Sequence, residues 1–286
     1  MDFVKTRVGQ IAYQVSGEDS GSGVPIVLLH SAGHDHHDFD AIVPVLSRSH
    51  RTLAFDWPGF GDSAAPTPPS SASAALFCDV LEDVVTALDL PPAIFIGNSV
   101  GGTAAVRLAG RRPERVRALV AVDSGGFTQV NALVRALCWA QGHTWVRRHT
   151  GLAFAKSYLH QRNDHVDRLL ARLLASHANR ATMETYAALW RSFPTSGNDV
   201  SEEARQVVCP TLLVWGRHDP VSRSRAEGKR ALSLIPHARY VELDAGHTPF
   251  AEAPEAFLDA LLPFLASLPK SPERAREVAG THAVSR

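Results

Sequence analysis

The sequence predicts an α/β fold, a doubly wound and mostly parallel sheet with a helical insertion. Three observations carry that expectation. Short apolar runs of strand length alternate with stretches whose apolar residues recur at helical spacing. One run, Ala93-Ile94-Phe95-Ile96, leads through Gly97-Asn98-Ser99-Val100-Gly101 into a small-residue stretch, Gly102-Thr103-Ala104-Ala105-Val106. The alternation then stops after Asp123 and resumes only near Thr211.

In chain order, Ile26-Val27-Leu28-Leu29 is an apolar strand that ends at His30-Ser31-Ala32-Gly33. The segment His34-Asp35-His36-His37-Asp38-Phe39-Asp40 carries metal-capable side chains. Its spacing is not that of the paired histidines in H-E-x-x-H. Asp35 or Asp38 instead suits a helix cap or first-turn acid, with His34 near a pocket mouth. No metal site is expected. Phe77, Val80, Leu81, Val84, Val85 and Leu88 fall on one helical face. Ala118-Leu119-Val120-Ala121-Val122 is a strand ending at Asp123. Helical patterns follow at Val134-Leu137-Cys138, Val166-Leu169-Leu170-Leu173-Leu174 and Tyr186-Leu189-Trp190. Two more strands, Thr211–Trp215 and Arg239–Leu243, precede a helix marked by Phe257, Leu258, Leu261, Leu262 and Leu265. This order divides the chain into a core over 1–126 and 199–268, a helical insertion over 127–198, and a loose polar tail over 269–286.

The serine pentapeptide carries the chemistry. A sharp strand-to-helix turn holds its central residue in a strained conformation, so small flanking residues are needed. The Ser99 hydroxyl then stands at a helix N-terminus, where developing negative charge is favoured. A serine is a poor nucleophile until a base takes its proton and an acid orients that base. Asp219 lies in the loop after the Thr211–Trp215 strand, and His247 in the loop after Arg239–Leu243. Three reactive residues at strand ends converge on one sheet edge, where open α/β sheets bind ligands. Asp123, also just past a strand, is a rival for the acid. Asp244 suits a role in shaping the turn before His247.

With these motifs in place, the chain resembles the α/β-hydrolase fold family over roughly residues 5 to 266. Ile26–Gly33 resembles the family's strand ending in His-Gly, with Ser31 where glycine is usual, and Asp56-Trp57-Pro58-Gly59-Phe60-Gly61-Asp62-Ser63 resembles its Asp-x-x-Gly-x-Gly-x-Ser loop. The resemblance implies an oxyanion hole made by the backbone N–H groups of Val100 and Ala32. It implies that the helical insertion is a cap that contributes substrate contacts. His30, Ser31, His34 and Asn98 are the candidate contacts on the core side.

Bulk properties narrow the partners. Lys and Arg number 29 against 29 Asp and Glu, so no global charge points to nucleic acid or a membrane surface. No apolar run approaches the roughly 18 residues of a spanning helix. The N-terminal residues lack the pattern of a signal peptide. Cys78, Cys138 and Cys209 sit in apolar surroundings and read as small buried hydrophobes, so a reduced, cytoplasmic protein is expected. Between 127 and 198 nine basic residues face three acidic ones. That excess suits either steering of an anionic substrate or an ordinary solvated helix face. The expected partner is a small-molecule substrate, with no cofactor. The sequence leaves the oligomeric state open.

These features predict a cofactor-free serine hydrolase acting on a carboxylic ester or lactone through an acyl-enzyme. An alternative is a carbon–carbon bond hydrolase of meta-ring-fission products, since Gly97-Asn98-Ser99-Val100-Gly101-Gly102 is similar to the elbow of those enzymes. Ser31-Ala32-Gly33-His34 and Thr248 depart from their pattern of a glycine-rich oxyanion segment and a tryptophan after the histidine. A third reading is a small-molecule receptor on the same fold. Ser99 argues against relatives that use an aspartate nucleophile, such as epoxide hydrolases and haloalkane dehalogenases.

Overall fold

The computed structural model describes residues 1–18 and 24–269, so the tail assigned to 269–286 lies, apart from Pro269, outside the described residues. Eight strands form one sheet: β1 (Asp2–Thr6), β2 (Gly9–Ser16), β3 (Ile26–Leu29), β4 (Thr52–Phe55), β5 (Ala93–Asn98), β6 (Val116–Val122), β7 (Thr211–Gly216) and β8 (Arg239–Leu243). Their order is β1-β2-β4-β3-β5-β6-β7-β8. The β1/β2 and β2/β4 pairs are antiparallel and every other pair is parallel.

Helix α1 (Val43–Leu46) follows β3, α2 (Ala74–Ala87) follows β4, and α3 (Val100–Arg111) follows β5. Between β6 and β7 lie α4 (Ala132–Gln141), α5 (Thr144–Tyr158), α6 (Asp164–Ser176), α7 (Arg180–Ser192) and the short α8 (Ser201–Arg205). Helix α9 (Lys229–Leu234) precedes β8, and α10 (Pro249–Glu252) and α11 (Pro254–Ala266) follow it. Local chemistry sets several starts. The side chains of Ser73, Asn131, Asn163 and Asn179 each accept a first-turn N–H, at α2, α4, α6 and α7.

The central strands are buried on both faces, and their side chains alternate between two apolar layers. Val27, Leu29, Phe95, Leu119, Ala121, Leu213 and Trp215 join one layer with α2 and α3. Ile26, Leu28, Ile94, Ile96, Val120, Leu212 and Val214 join the other with α6 and α11. The α2 stripe is buried from Phe77 to Val85, as its spacing predicts. On α11 the buried stripe is Phe257, Leu261 and Phe264, while Leu262 is 42% exposed, so the sheet-facing side is rotated from the expected leucine pattern. The sheet thus presents the carboxyl ends of β3, β5, β6, β7 and β8 at one edge, beside residues of α4, α5 and α7.

Candidate active site

Ser99 sits between β5 and α3 with φ 55° and ψ −116°, a left-handed conformation that a non-glycine residue adopts only under constraint. Close packing imposes it. A Cβ on Gly97 would run into the Gly101 carbonyl, and one on Gly101 into the Leu29 carbonyl. The Ser99 carbonyl accepts from Thr103 N at 2.9 Å and Gly125 N at 3.0 Å, which fixes the turn from both sides.

Asp219 and His247 meet. Asp219 Oδ2 is 2.6 Å from His247 Nδ1, and both residues are buried. The carboxylate also accepts Val221 N at 2.7 Å and Ser222 N at 3.1 Å. Burial alone would depress the His247 imidazole, but the Asp219 charge and hydrogen bond outweigh it and raise the group above its ordinary value. Asp123 is wholly buried nearby and turns its Oδ1 to Gly216 N at 2.9 Å. Burial and the neighbouring Asp219 charge push the Asp123 carboxyl well above the usual carboxylate range.

Ser99, His247, Ser31, Ala32 and Val100 open on one cavity of about 100 Å³. Among the described hydrogen bonds, neither the Ala32 nor the Val100 N–H is used. The Val100 donor is free because it opens a helix. The Ala32 donor is aimed by His30. The His30 Nε2 accepts from Trp57 N at 2.9 Å, so its Nδ1 carries the proton and donates to the Ser31 carbonyl at 2.7 Å. A trans peptide sends C=O and N–H in opposite directions, so this grip turns the Ala32 N–H away from His30. Burial depresses the His30 imidazole and keeps it neutral in this role.

The remaining candidate contacts lie off the cavity wall. His34 is buried between Asp38 Oδ2, at 2.7 Å, and the Tyr158 hydroxyl, at 2.8 Å. Asn98 donates through Nδ2 to the carbonyls of Val122 at 3.0 Å and His247 at 2.9 Å. It is a strut that joins the end of β5 to the end of β6 and to the loop after β8. The other histidines of the His34–Asp40 segment diverge: His36 pairs with Asp56 and His37 with Asp40. Asp35 caps the turn beginning at His36 and pairs with Arg172 at 3.0 Å.

Tyr158, at the end of α5, is one of the insertion's aromatics that could line a pocket, and it does, but no sequence pattern points to its contact with His247. Its carbonyl accepts His247 N at 2.8 Å, and its ring meets the His247 ring edge-on at 5.5 Å between centroids. Val134, Leu137, Cys138, Phe154, Tyr186 and Trp190 complete the cavity wall from α4, α5 and α7. Among the described residues, no arginine or lysine lines it. Of the segment's nine basic residues, Arg162 pairs with Asp167, Arg172 with Asp35 and Arg180 with Glu184, while Arg147 is buried behind the wall and donates to the Tyr186 hydroxyl at 3.1 Å.

A doubly wound sheet with a strained serine elbow and an Asp–His pair at its carboxyl edge defines a class of hydrolase. A profile of the alpha/beta hydrolase fold matches residues 24–254, and the chain belongs to that family and is a hydrolase. It is 27% identical over 282 residues to a 2-hydroxy-6-oxononadienedioate/2-hydroxy-6-oxononatrienedioate hydrolase of Cupriavidus pinatubonensis, covering 92% of this chain and 94% of that protein. It is likewise 27% identical over 256 residues to a 2-hydroxy-6-oxo-6-(2'-aminophenyl)hexa-2,4-dienoic acid hydrolase of Metapseudomonas resinovorans, covering 86% of each. Among solved structures, the enol-lactonase of Burkholderia xenovorans LB400 is similar with a TM-score of 0.80 and 26% identity, covering 93% of this chain and all of that one. No helix among the described residues is long and apolar enough to cross a membrane.

Proposed function

We propose that this protein is a serine hydrolase that cleaves a carboxylic ester or lactone of a small, largely apolar substrate. Ser99 attacks the carbonyl carbon, and His247 takes its proton and then passes it to the leaving alkoxide. Asp219 orients the imidazole and stabilises its cation. Ala32 and Val100 N–H groups receive the oxyanion, each donor stabilising it by about 3–4 kcal/mol. Water, activated by His247, then releases the acid. Residues 127–198 act as the cap over this reaction. Three buried free thiols accord with a reduced, cytoplasmic setting.

The observation that carries the reading is the cavity itself. It joins Ser99 and His247 to a largely apolar wall, with no arginine or lysine among the described residues that line it to hold a carboxylate. The similarity to a lactonase supports the same bond class. The carbon–carbon reading has its own support in the names of the two sequence relatives.

Initial rates on p-nitrophenyl esters of graded acyl length, with a meta-ring-fission dienoate alongside and the Ser99→Ala protein as blank, test the proposal. Ser99-dependent ester turnover with a short-chain optimum is expected. Fast dienoate cleavage with ester rates at the blank would replace it with the carbon–carbon reading. Silence on both classes, with ligand-dependent capture of a partner, would point to the receptor.

A further inference from the structure

We propose that His160, His218 and Asp244 form a surface site for a late first-row divalent cation, with Zn²⁺ the representative ion, at the seam between the helical segment and the core. One donor atom from each side chain lies within 4.8 Å of the others. His160 follows α5, His218 directly precedes Asp219, and Asp244 opens the loop that carries His247. Two imidazoles and one carboxylate are the donor set of borderline ions such as Zn²⁺, and an open three-ligand site leaves room for water.

The three side chains are already gathered. The His160 and His218 rings stack at 3.7 Å between centroids with 16° between planes, and His218 Nε2 is 2.8 Å from Asp244 Oδ1. A tetrahedral ion needs donors about 3.3–3.4 Å apart, from metal–ligand distances of about 2.0–2.1 Å. Two parallel rings do not share a metal in both planes, so at least one must turn. These side chains are exposed, His218 by 38% and Asp244 by 70%, and imidazole χ2 is soft, so that turn meets little resistance.

The backbone beneath them is fixed. His160 N donates to Glu252 at 2.7 Å and Gln161 N to the same carboxylate at 2.9 Å. The Gln161 side chain donates to the Asp244 carbonyl. His218 N donates to the Ala245 carbonyl at 3.0 Å. The nearby Arg217 is turned to Glu242 at 3.6 Å, which partly neutralises its charge beside the site. A bound ion would tie the α5–α6 connector to both loops that supply the Asp–His pair.

Zn²⁺ titration of the chelator-treated full chain by calorimetry, with thermal unfolding in parallel, tests this. One equivalent is expected to bind and to raise Tm. His160→Ala and His218→Gln should each weaken binding by at least about tenfold and abolish the Tm rise. Circular dichroism confirms that both variants fold, and His160→Ala should keep metal-free ester turnover. No saturable binding would overturn the proposal. So would binding that survives both substitutions, including binding lost only in His247→Gln, which would place the ion on the buried Asp123–Asp219–His247 group.

Discussion

Asp219 turns one oxygen to His247 Nδ1 at 2.6 Å, whereas Asp123, buried beside it, turns its Oδ1 to the Gly216 amide. Two buried carboxyls this close do not both ionise readily, and the burden falls on Asp123, whose carboxyl is pushed well above its ordinary range by burial and the Asp219 charge. A neutral Asp123 resembles asparagine in shape and charge. Asp123→Asn should therefore cost less than about tenfold in kcat. Asp219→Asn should cost about 10⁴-fold, because the amide favours the wrong tautomer of the base. Rates of both variants on one ester decide the matter. The reverse ranking would move the orienting acid to Asp123.

The pH profile follows from the same pair. Only neutral His247 accepts the serine proton, so activity falls as the imidazole protonates. Burial works to lower that pKa, and Asp219 more than offsets it. The acid limb of kcat/KM should then lie above the ordinary imidazole value of about 6.5. Asp219→Asn removes the raising charge while burial stays, so its residual activity should show the limb displaced to lower pH. A limb at or below the ordinary value in the wild type would mean that Asp219 does not govern the base. The linked stability runs the opposite way to activity: the protonated pair contributes fully below the unfolded value and is lost as pH rises through the raised one.

Much of this was legible in the sequence because strands buried on both faces are continuous apolar runs, and because loops that follow strands in a parallel sheet must meet at one edge. That logic brings Ser99, Asp219 and His247 to one sheet edge, and the structure sets Asp219 against His247 and both Ser99 and His247 on one cavity. The helical segment was legible only in part. Helices α6 and α7 carry apolar stripes, but the buried face of α5 is Arg147, Gly151, Ala155 and Tyr158. Small and polar residues at helical spacing leave no hydrophobic period, so the sequence could offer Tyr158 as a pocket aromatic but not place it against His247. Side-chain direction was equally hidden. Asn98 and His34 adjoin the site in sequence, yet His34 spends both ring nitrogens, and Asn98 its side-chain N–H groups, on the scaffold. The His160–His218–Asp244 group joins three distant segments and has no local spacing to read.

The cavity wall predicts chain-length preference. Trp190 packs edge-on against Phe154 at 5.5 Å between centroids and lines the cavity with it. Trp190→Leu removes ring volume on the cavity side and keeps an apolar contact. Ester profiles should shift from short toward longer acyl chains, chiefly through lower KM for the longer substrates. The stability loss should stay below the roughly 3–5 kcal/mol of a Trp→Ala truncation. An unchanged acyl preference would mean that the acyl group does not lie against this wall.

Glu252 predicts a coupling between the helical segment and the catalytic loop. Its carboxylate is buried and accepts Gly246 N at 2.9 Å and Thr248 N at 3.0 Å, the amides on either side of His247. It also accepts His160 N and Gln161 N, from the connector that follows Tyr158. One carboxylate thus fixes both the His247 loop and the strand of chain that packs against it. In Glu252→Gln one oxygen becomes an NH₂ that faces backbone donors whichever way the amide turns. At Oε2 that strands three N–H groups and at Oε1 one, each costing about 1–3 kcal/mol when buried. Unfolding should show a loss of at least about that much, and kcat should fall more than KM rises because His247 loses its backbone support. A purely structural role would lower Tm and leave kcat of the folded protein intact, so measuring both on the same preparation separates positioning of the base from simple packing.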